Sequence, residues 1–289
     1  MLDLGVILMT EQFRSAELVD VVNYLESQRY TSVWLPELFG REPIATAGYL
    51  LGRTRNIAIA TGIANVYVRD AHATAQARHT LAELSDGRFM LGLGVSNIGL
   101  NQARGHEWQT PLGKMRAYLD ALASVKVDAP APAGPAPLYI AAHGPQLQKL
   151  GAERTDGIIT YLMPPRHTQE SRARIGAGPT LSTVAAFIAE SDPVIARTKA
   201  RAALRMYMQL DYYHREWRKL GFADSDFTNG GSDTLIDALV AWGDAAALKR
   251  RLVEYQLAGA DRVIVMPLAI KTRKGLDLGV LEQLSSVDS

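Results

Sequence analysis

Eight short runs of apolar, often β-branched residues recur along this chain of 289 residues. Most are continuously hydrophobic instead of alternating, as is typical of strands buried on both faces of a parallel sheet. Amphipathic helical patterns separate them, for example at 16–28, 71–84, 112–124 and 245–257. The eight runs lie at 2–8, 32–37, 57–65, 88–96, 138–144, 157–164, 181–191 and 262–268. This alternation favours an α/β fold of the (β/α)8 (TIM) barrel type, with an open, doubly wound sheet as the alternative because a count of strands does not establish closure.

Two segments interrupt the alternation of strands and helices. Residues 128–137 are rich in proline and predict a stiff connector that is neither helix nor central strand. Residues 192–261 are too many for one crossover, and we interpret them as a helical insertion after the seventh strand plus the last crossover. The pattern there predicts one long helix over 193–220, a loop over 221–233 and a further short helix. We expect a single domain over 1–289.

Composition narrows the classes of partner. The 31 basic and 30 acidic residues give a formal charge of +1, so we expect no nucleic-acid or membrane partner. There are no cysteines, which excludes disulfides and thiolate catalysis. The histidines and carboxylates show no spacing typical of a metal site, so no bound metal is expected. The first residues lack a signal-peptide pattern, and a cytoplasmic protein is the default expectation.

The segment 81–97 predicts the wall and mouth of a pocket. Asp86 and Gly87 form a turn, and the strand that follows is apolar until Gly92, Gly94 and the polar tip Ser96-Asn97. Parallel sheets bind ligands at the carboxyl ends of their strands, so this tip is where we expect chemistry.

Two further strand ends carry polar candidates. Glu37 follows the second strand among apolar neighbours, where it would serve either as a proton donor and acceptor or as a hydrogen-bond acceptor that fixes a loop or an arginine. Gly62, in the third strand, permits a bulge against a ligand or simply close packing. At the fifth strand, small residues Ala142 and Gly144 before a helix predict a phosphate site, and His143 is either a proton donor there or structural.

The insertion contains one basic and one aromatic cluster. The basic residues form either a solvated helix face or a recognition site for the anionic tail of a cofactor, whereas the aromatic residues are expected to pack the helix or line a substrate pocket. The basic cluster is Arg197, Lys199, Arg201 and Arg205, and the aromatic cluster is Tyr207, Tyr212, Tyr213 and Trp217.

Several motifs, spread in order over nearly the whole chain, resemble the bacterial luciferase-like superfamily. They are Thr61-Gly62-Ile63, Arg69-Asp70, Ser85-Asp86-Gly87-Arg88-Phe89, Leu91-Gly92-Leu93-Gly94, Ile140-Ala141-Ala142-His143-Gly144-Pro145, Ala152-Glu153-Arg154-Thr155-Asp156-Gly157, Gly243-Asp244 and Ala258-Gly259-Ala260-Asp261-Arg262-Val263. Trp34-Leu35-Pro36-Glu37 with Arg41-Glu42-Pro43 looks most like the subgroup that uses the deazaflavin coenzyme F420.

The resemblance implies a luciferase-like barrel with a cofactor across its C-terminal mouth. By this resemblance an isoalloxazine-like ring packs on a bulge after the third strand, and a phosphate binds at the turn after the fifth. The implied cofactor-binding residues are Thr61, Gly62, Ile63, Ser96, Asn97, Ala142, His143, Gly144, Pro145, Leu162 and Met163, with Asn101 also near the cofactor. Many relatives carry a histidine near the end of the second strand, where this chain has Glu37-Leu38.

The function that follows from the resemblance is an F420-dependent oxidoreductase acting on a small organic substrate. Glu37 is the first candidate for acid/base catalysis and His143 the second. The alternatives are an FMN-dependent monooxygenase, supplied with reduced flavin by a separate reductase, and a non-catalytic flavin-binding barrel. A homodimer is expected by resemblance and from apolar residues on early helices, although these residues fit a barrel-facing stripe equally well: Leu18, Val22, Leu25 and Leu81.

Overall fold

Eight parallel strands close into a barrel in the computed structural model, which describes residues 2–268 and 276–285. The ring consists of β1 (Asp3–Ile7), β2 (Ser32–Leu35), β3 (Ala58–Thr61), β5 (Phe89–Gly94), β6 (Leu138–Ala141), β7 (Gly157–Tyr161), β8 (Thr180–Ile188) and β10 (Arg262–Pro267). Two short strands add to it: β4 (Ala64–Asn65) pairs with β5, and β9 (Val240–Trp242) pairs with β8. Strand β10 pairs with both β8 and β1, so the ring is complete. This closure confirms the (β/α)8 barrel and excludes the open sheet.

Helices follow the strands and cover the barrel. They are α1 (Ser15–Ser27), α2 (Pro43–Leu51), α3 (Ala71–Leu84), α4 (Ile98–Ala103), α5 (Pro111–Ser124), α6 (Pro145–Arg154), α7 (Pro165–Ile175), α8 (Pro193–Leu204), α9 (Asp211–Lys219), α10 (Asp233–Leu239), α11 (Ala245–Leu257) and α12 (Leu278–Ser285). The predicted helices at 71–84 and 245–257 are correct to the residue. The Asp244 carboxylate caps α11 by accepting a 2.8 Å hydrogen bond from the Ala247 N–H.

The predicted third strand, 57–65, is interrupted by a bulge at Gly62 and Ile63, which separates β3 from β4. A cis peptide bond joins these two residues. Two glycines of β5 make room for the bulge: a Cβ on Gly92 would lie 2.3 Å from the Thr61 carbonyl oxygen, and one on Gly94 would lie 2.4 Å from Ile63 Cδ1. The Gly-x-Gly spacing in β5 is therefore a packing requirement of the bulge.

The single long helix predicted over 193–220 is wrong. The chain leaves α8 after Leu204, makes a 3-10 turn at Tyr207–Gln209 and starts α9 at Asp211. Leu210 has an extended backbone, with φ −104° and ψ 106°. This break lets Met208 and Trp217 both reach the apolar interior, where both are buried. Burial has therefore overridden helical continuity.

The early apolar residues proposed for a dimer face belong to the barrel core. Leu18, Val22, Leu25 and Leu81 are buried in the same hydrophobic cluster as β1 and β2 residues. The barrel-facing alternative is thus correct for them, and the homodimer stays a prediction that rests on the resemblance alone. The β1–β10 seam is reinforced by an ion pair, since Arg262 Nε lies 2.7 Å from Asp3 Oδ2.

We predict that Gly94→Ala lowers the free energy of unfolding by about 1–3 kcal/mol, because the added methyl group overlaps Ile63. In an Ile63→Ala background the overlapping Cγ1 and Cδ1 atoms are absent, so the same change should cost much less. Gly134→Ala is the control, since a Cβ there meets nothing within 4 Å. Urea unfolding of the four variants and the wild type measures this coupling, and equal costs of Gly94→Ala in both backgrounds would contradict it.

Candidate functional site

Glu37 lies at the end of β2 in a nearly buried ion pair. Its Oε2 accepts hydrogen bonds from Arg69 Nη1 at 2.6 Å and from the Asn65 N–H at 2.7 Å, and its Oε1 accepts one from Arg69 Nη2 at 2.9 Å. The Glu37 side chain is 8% exposed and that of Arg69 is 12% exposed. These three hydrogen bonds hold the carboxylate against β4. The geometry therefore supports the alternative in which Glu37 fixes a loop and an arginine.

The tip of β5 is organised by amide side chains. Asn97 caps α4, with Oδ1 accepting a 2.9 Å hydrogen bond from the Leu100 N–H. Asn101 is fully buried and its Oδ1 accepts from Asn65 Nδ2 at 2.9 Å, which ties this tip to β4. Ser96 is partly exposed and has a positive φ of 58°. With respect to residues 2–268 and 276–285, the Ser96 side chain is thus not engaged in such a cap or tie.

The bulge supplies a partly exposed shelf beside that tip. Gly62 and Ile63 are both partly exposed, whereas Thr61 is fully buried. The Thr61 hydroxyl accepts a 2.9 Å hydrogen bond from the Gly92 N–H and lies 2.7 Å from the Gly92 carbonyl. Of the three predicted ring-binding residues, Gly62 and Ile63 are thus partly exposed, whereas Thr61 is buried and bonded to β5.

The turn between β6 and α6 borders a small polar cavity of about 90 Å³. Gly144 caps the helix and Pro145 is its first residue. A Cβ on Gly144 would lie 3.5 Å from Glu216 Oε1, so α9 places a carboxylate beside this helix N-terminus. Glu216 also pairs with Lys219 Nζ at 2.7 Å. The lining further includes His143, His167 and Arg174.

His143 is neutral in this environment. Burial and the neighbouring His167 lower the pKa of His143 to about 3. Its Nε2 accepts a 3.2 Å hydrogen bond from the Tyr161 N–H, which leaves the proton of the neutral ring on Nδ1. The His143 carbonyl lies 3.0 Å from His167 Nε2. The geometry supports a positioning role between β6, β7 and α7, because no imidazolium is available at neutral pH.

Leu162 and Met163 lie beneath the insertion and not on an open wall. Both are fully buried, and their carbonyl groups accept hydrogen bonds from Trp217 Nε1 at 3.4 Å and the Tyr255 hydroxyl at 2.8 Å. Neither lines either of the two described cavities. Contact of these two side chains with a cofactor therefore stays a prediction that requires the insertion to move.

Aromatic residues of the insertion cover the centre of the mouth. The Tyr213 ring lies between two others and is tilted against both, with its centroid 5.3 Å from that of His143 and 5.3 Å from that of Trp217. The Tyr207 hydroxyl lies 2.9 Å from the Tyr161 hydroxyl. Burial raises the pKa of Tyr161, Tyr207 and Tyr213, so these phenols stay protonated. The packing alternative for the cluster is thus correct for Tyr213 and Trp217.

A second cavity, of about 230 Å³, opens beside this cover. It lies at the carboxyl ends of β1 and β10, below α8. Its walls are mostly apolar, and its polar groups come from Lys199 and Tyr207. In the part of the chain that the structure describes, no group of His, Cys, Asp or Glu side chains could hold a metal ion. Within the same residues, no helix has the length and apolarity needed to cross a membrane.

The closed barrel, the bulge after its third strand and the polar strand ends at one mouth are together typical of enzymes with an α/β-barrel fold. The model of the luciferase-like monooxygenase family matches residues 2–262. The chain belongs to this family and is an enzyme of this oxidoreductase class, which confirms the predicted superfamily.

Two curated relatives cover most of the chain. It is 26% identical to 5,10-methylenetetrahydromethanopterin reductase of Methanolobus tindarius over 89% of this chain and 86% of the relative. It is 22% identical to a putative coenzyme F420-dependent oxidoreductase of Mycobacterium tuberculosis, over 85% of this chain and 89% of that protein.

Solved structures share the fold. The coenzyme F420-dependent tetrahydromethanopterin reductase of Methanopyrus kandleri superposes with a TM-score of 0.76 at 17% identity, over 99% of this chain and 97% of that one. An F420-dependent secondary alcohol dehydrogenase, bound to an F420–acetone adduct, gives 0.77 at 16% identity over 99% and 98%. The FMN-bound oxygenating constituent of 3,6-diketocamphane monooxygenase from Pseudomonas putida gives 0.66 at 13%, over 99% and 97%.

Sequence reasoning missed three groups that shape the site. Arg69 belongs to one of the motifs of the resemblance, but that motif does not indicate that it is the partner of Glu37. Glu216 and Lys219 gave no signal, because their importance depends on where α9 docks. The Tyr161–Tyr207 pair likewise joins β7 to the insertion, and no local pattern encodes that contact.

We predict that Glu37→Gln lowers the free energy of unfolding by about 1.5–3 kcal/mol, because Arg69 loses a charged hydrogen-bond partner while nearly buried. If the two side chains act as a unit, Arg69→Met should cost a similar amount, and the double variant should cost little more than either single one. Urea unfolding of the three variants measures this cycle. Additive losses, or full stability of Glu37→Gln, would return attention to Glu37 as a proton donor.

His143 should make stability depend on pH. Its pKa of about 3 in the folded state lies below the ordinary value of 6.5. Between these values the unfolded chain binds a proton that the folded chain does not, so stability is lost as the pH falls from 6.5 towards 3. His143→Asn keeps an acceptor and should flatten this slope by up to about 1.4 kcal/mol per pH unit. Urea midpoints from pH 4 to 8 test this, with exposed His72→Asn as the control; identical slopes in both variants would contradict it.

Proposed function

We propose that this enzyme is an F420-dependent oxidoreductase acting on a small organic substrate. The observation that supports this most directly is the pairing, at one barrel mouth, of the shelf at Gly62 and Ile63 with the polar cavity at Gly144. These two features offer a flat surface for a ring and a separate seat for a phosphate. The F420-dependent relatives named above support the choice of the deazaflavin.

The residues present fit such a group. Gly92 and Gly94 have no side chain, which lets the shelf approach β5, and a Cβ at either position would fill that space. At the other end, Gly144 leaves the N-terminus of α6 uncovered by its own side chain, and helix N-termini favour anions. Arg174 and Lys219 supply positive charge to the cavity, while Glu170 and Glu216 oppose it.

We propose that a bound phosphate replaces Glu216 as the ion-pair partner of Lys219. The Glu216 carboxylate beside Gly144 stands in the place where an anion would bind, and its ion pair with Lys219 balances its charge. An entering phosphate would exchange this partner, with Glu216 turning towards solvent. Ser96 and Asn97, on the adjacent strand tip, are proposed to lie along the same ligand.

When bound, the deazaflavin would carry a hydride at its C5 position, and the protein supplies orientation and exclusion of water. The insertion excludes water through Tyr212, Tyr213 and Trp217. The Tyr207 hydroxyl and the Lys199 ammonium are the polar groups that face the larger cavity among the described residues. Proton transfer by Glu37 or His143 stays a prediction, because both are engaged in structural hydrogen bonds.

An FMN-dependent monooxygenase is the second candidate, since the family is described as luciferase-like monooxygenase and the FMN-bound structure named above shares the fold. Both functions place a phosphate and a flat ring at the mouth, so the choice of cofactor separates them. A supplying reductase, a homodimer and a cytoplasmic location remain predictions.

We expect purified protein to bind F420 at least about tenfold more tightly than FMN, a difference of ~1.4 kcal/mol. Fluorescence titrations of both cofactors measure this. Glu216→Gln should tighten the binding of either cofactor by about three- to tenfold, because a like charge is removed from the phosphate seat. Glu83→Gln, an exposed change at the C-terminal end of α3, is the matched control. Preferential binding of FMN would favour the second candidate, and unchanged affinity of Glu216→Gln would place the phosphate elsewhere.

A further inference from the structure

The cavity of about 230 Å³ at the ends of β1 and β10 is separate from the shelf and from the polar cavity at Gly144. It falls below the range of about 300–1,000 Å³ typical of pockets for drug-sized ligands. It therefore suits a small molecule and is too small for a whole dinucleotide-sized cofactor. Its volume and its position at the carboxyl ends of the strands are those of a substrate site.

The walls of this cavity are apolar on the barrel side. Side chains from β1, from the turn after it and from β10 line it: Ile7, Met9, Phe13 and Met266. Ile7, Phe13 and Met266 are themselves buried. The Tyr207 hydroxyl, whose pKa is raised by burial, adds one neutral polar group. Such a lining selects a ligand with a mostly hydrocarbon body.

Lys199 gives this apolar cavity a positive charge. It lies on α8 and is partly exposed. The other two α8 cations are neutralised: Arg197 pairs with Asp237 at 2.6 Å and with Asp233 at 2.9 Å, and Arg201 pairs with Asp233. Lys199 has no ion pair or hydrogen bond with any residue from 2–268 or 276–285. A half-buried ammonium beside apolar walls gains most from an anionic partner.

We infer that this cavity binds a small, mainly apolar organic acid, with its anionic group on Lys199 and its hydrocarbon body against Met9, Phe13 and Met266. That this acid is the substrate of the enzyme rests on the proposed function. That the cavity binds an anion is argued from the cavity and Lys199 alone.

The test compares acids with amides of the same shape on cofactor-free protein. The probes are hexanoate and benzoate, against hexanamide and benzamide, with dissociation constants from ligand-observed NMR. We expect wild-type protein to bind each acid at least about tenfold more tightly than its amide. Lys199→Met should remove this preference while amide binding changes by less than about twofold. Lys126→Met, an exposed change in the connector that precedes β6, should retain it.

A second variant tests the position of the site. Ala203 lines the same cavity and is exposed on α8. Ala203→Trp should therefore fill the cavity with little effect on the free energy of unfolding. It should abolish the binding of both acids and amides. Equal affinity for acids and amides in the wild type, or an acid preference that survives Lys199→Met or Ala203→Trp, would overturn the inference.

F420 affinity, measured on the same variants, separates the two proposals. Lys199→Met should leave it within about twofold of the wild type, because Lys199 lies outside the polar cavity at Gly144. Loss of acid preference with intact F420 binding supports both proposals. Retained acid selectivity in a protein that does not bind F420 would contradict the proposed cofactor and leave the anion site standing.

Discussion

The bulge at Gly62 and Ile63 is the constraint on which the mouth of the barrel depends. A bulge interrupts the ladder and must be held by something other than strand pairing. Here the Thr61 hydroxyl bonds to Gly92, and the two glycines of β5 leave space for the bulge. After the bulge, Glu37 accepts a hydrogen bond from the Asn65 N–H. Because Arg69 then fixes Glu37, one ion pair connects the end of β2, the bulge and the start of α3. Loosening any member would release the shelf as a whole.

Charge at the mouth is arranged so that most groups are already paired. Three ion pairs leave little net charge near the strand ends: Glu37 with Arg69, Glu216 with Lys219, and Arg197 with Asp237. The neutral histidines and protonated phenols add dipoles but no charge. An anion that enters this region can therefore exchange partners with an existing pair or bind a cation, such as Lys199 or Arg174, that has no ion pair among the described residues. In the first case the ligand must break an ion pair of the protein in order to bind, and in the second case it does not.

The sequence was a good guide wherever local pattern and burial agree. The eight strands, the Asp244 cap and the turn at Asp86 and Gly87 follow from periodicity and from residues with special backbone preferences. The bulge was anticipated because Gly62 interrupts an otherwise buried strand. The broken helix at 205–210 was missed, since nothing local opposes a continuous helix there and the break is caused by packing on the barrel. The partners of Glu37 and the place of Glu216 were likewise inaccessible, because they depend on contacts between distant elements.

The seam between β1 and β10 has a consequence for how the chain is made. Strand β1 is synthesised well before its neighbour β10, because the seam joins residues 3–6 to residues 262–265. Until then, β1 and β8 each present an open edge with unpaired backbone groups, which is a hazard for association with other nascent chains. The Asp3–Arg262 ion pair and the hydrogen bond from the Tyr30 hydroxyl to the Leu281 carbonyl can form only after residues 262 and 281 have been synthesised. Closure of the ring therefore waits for β10, and the β1 edge stays open until that strand has been synthesised.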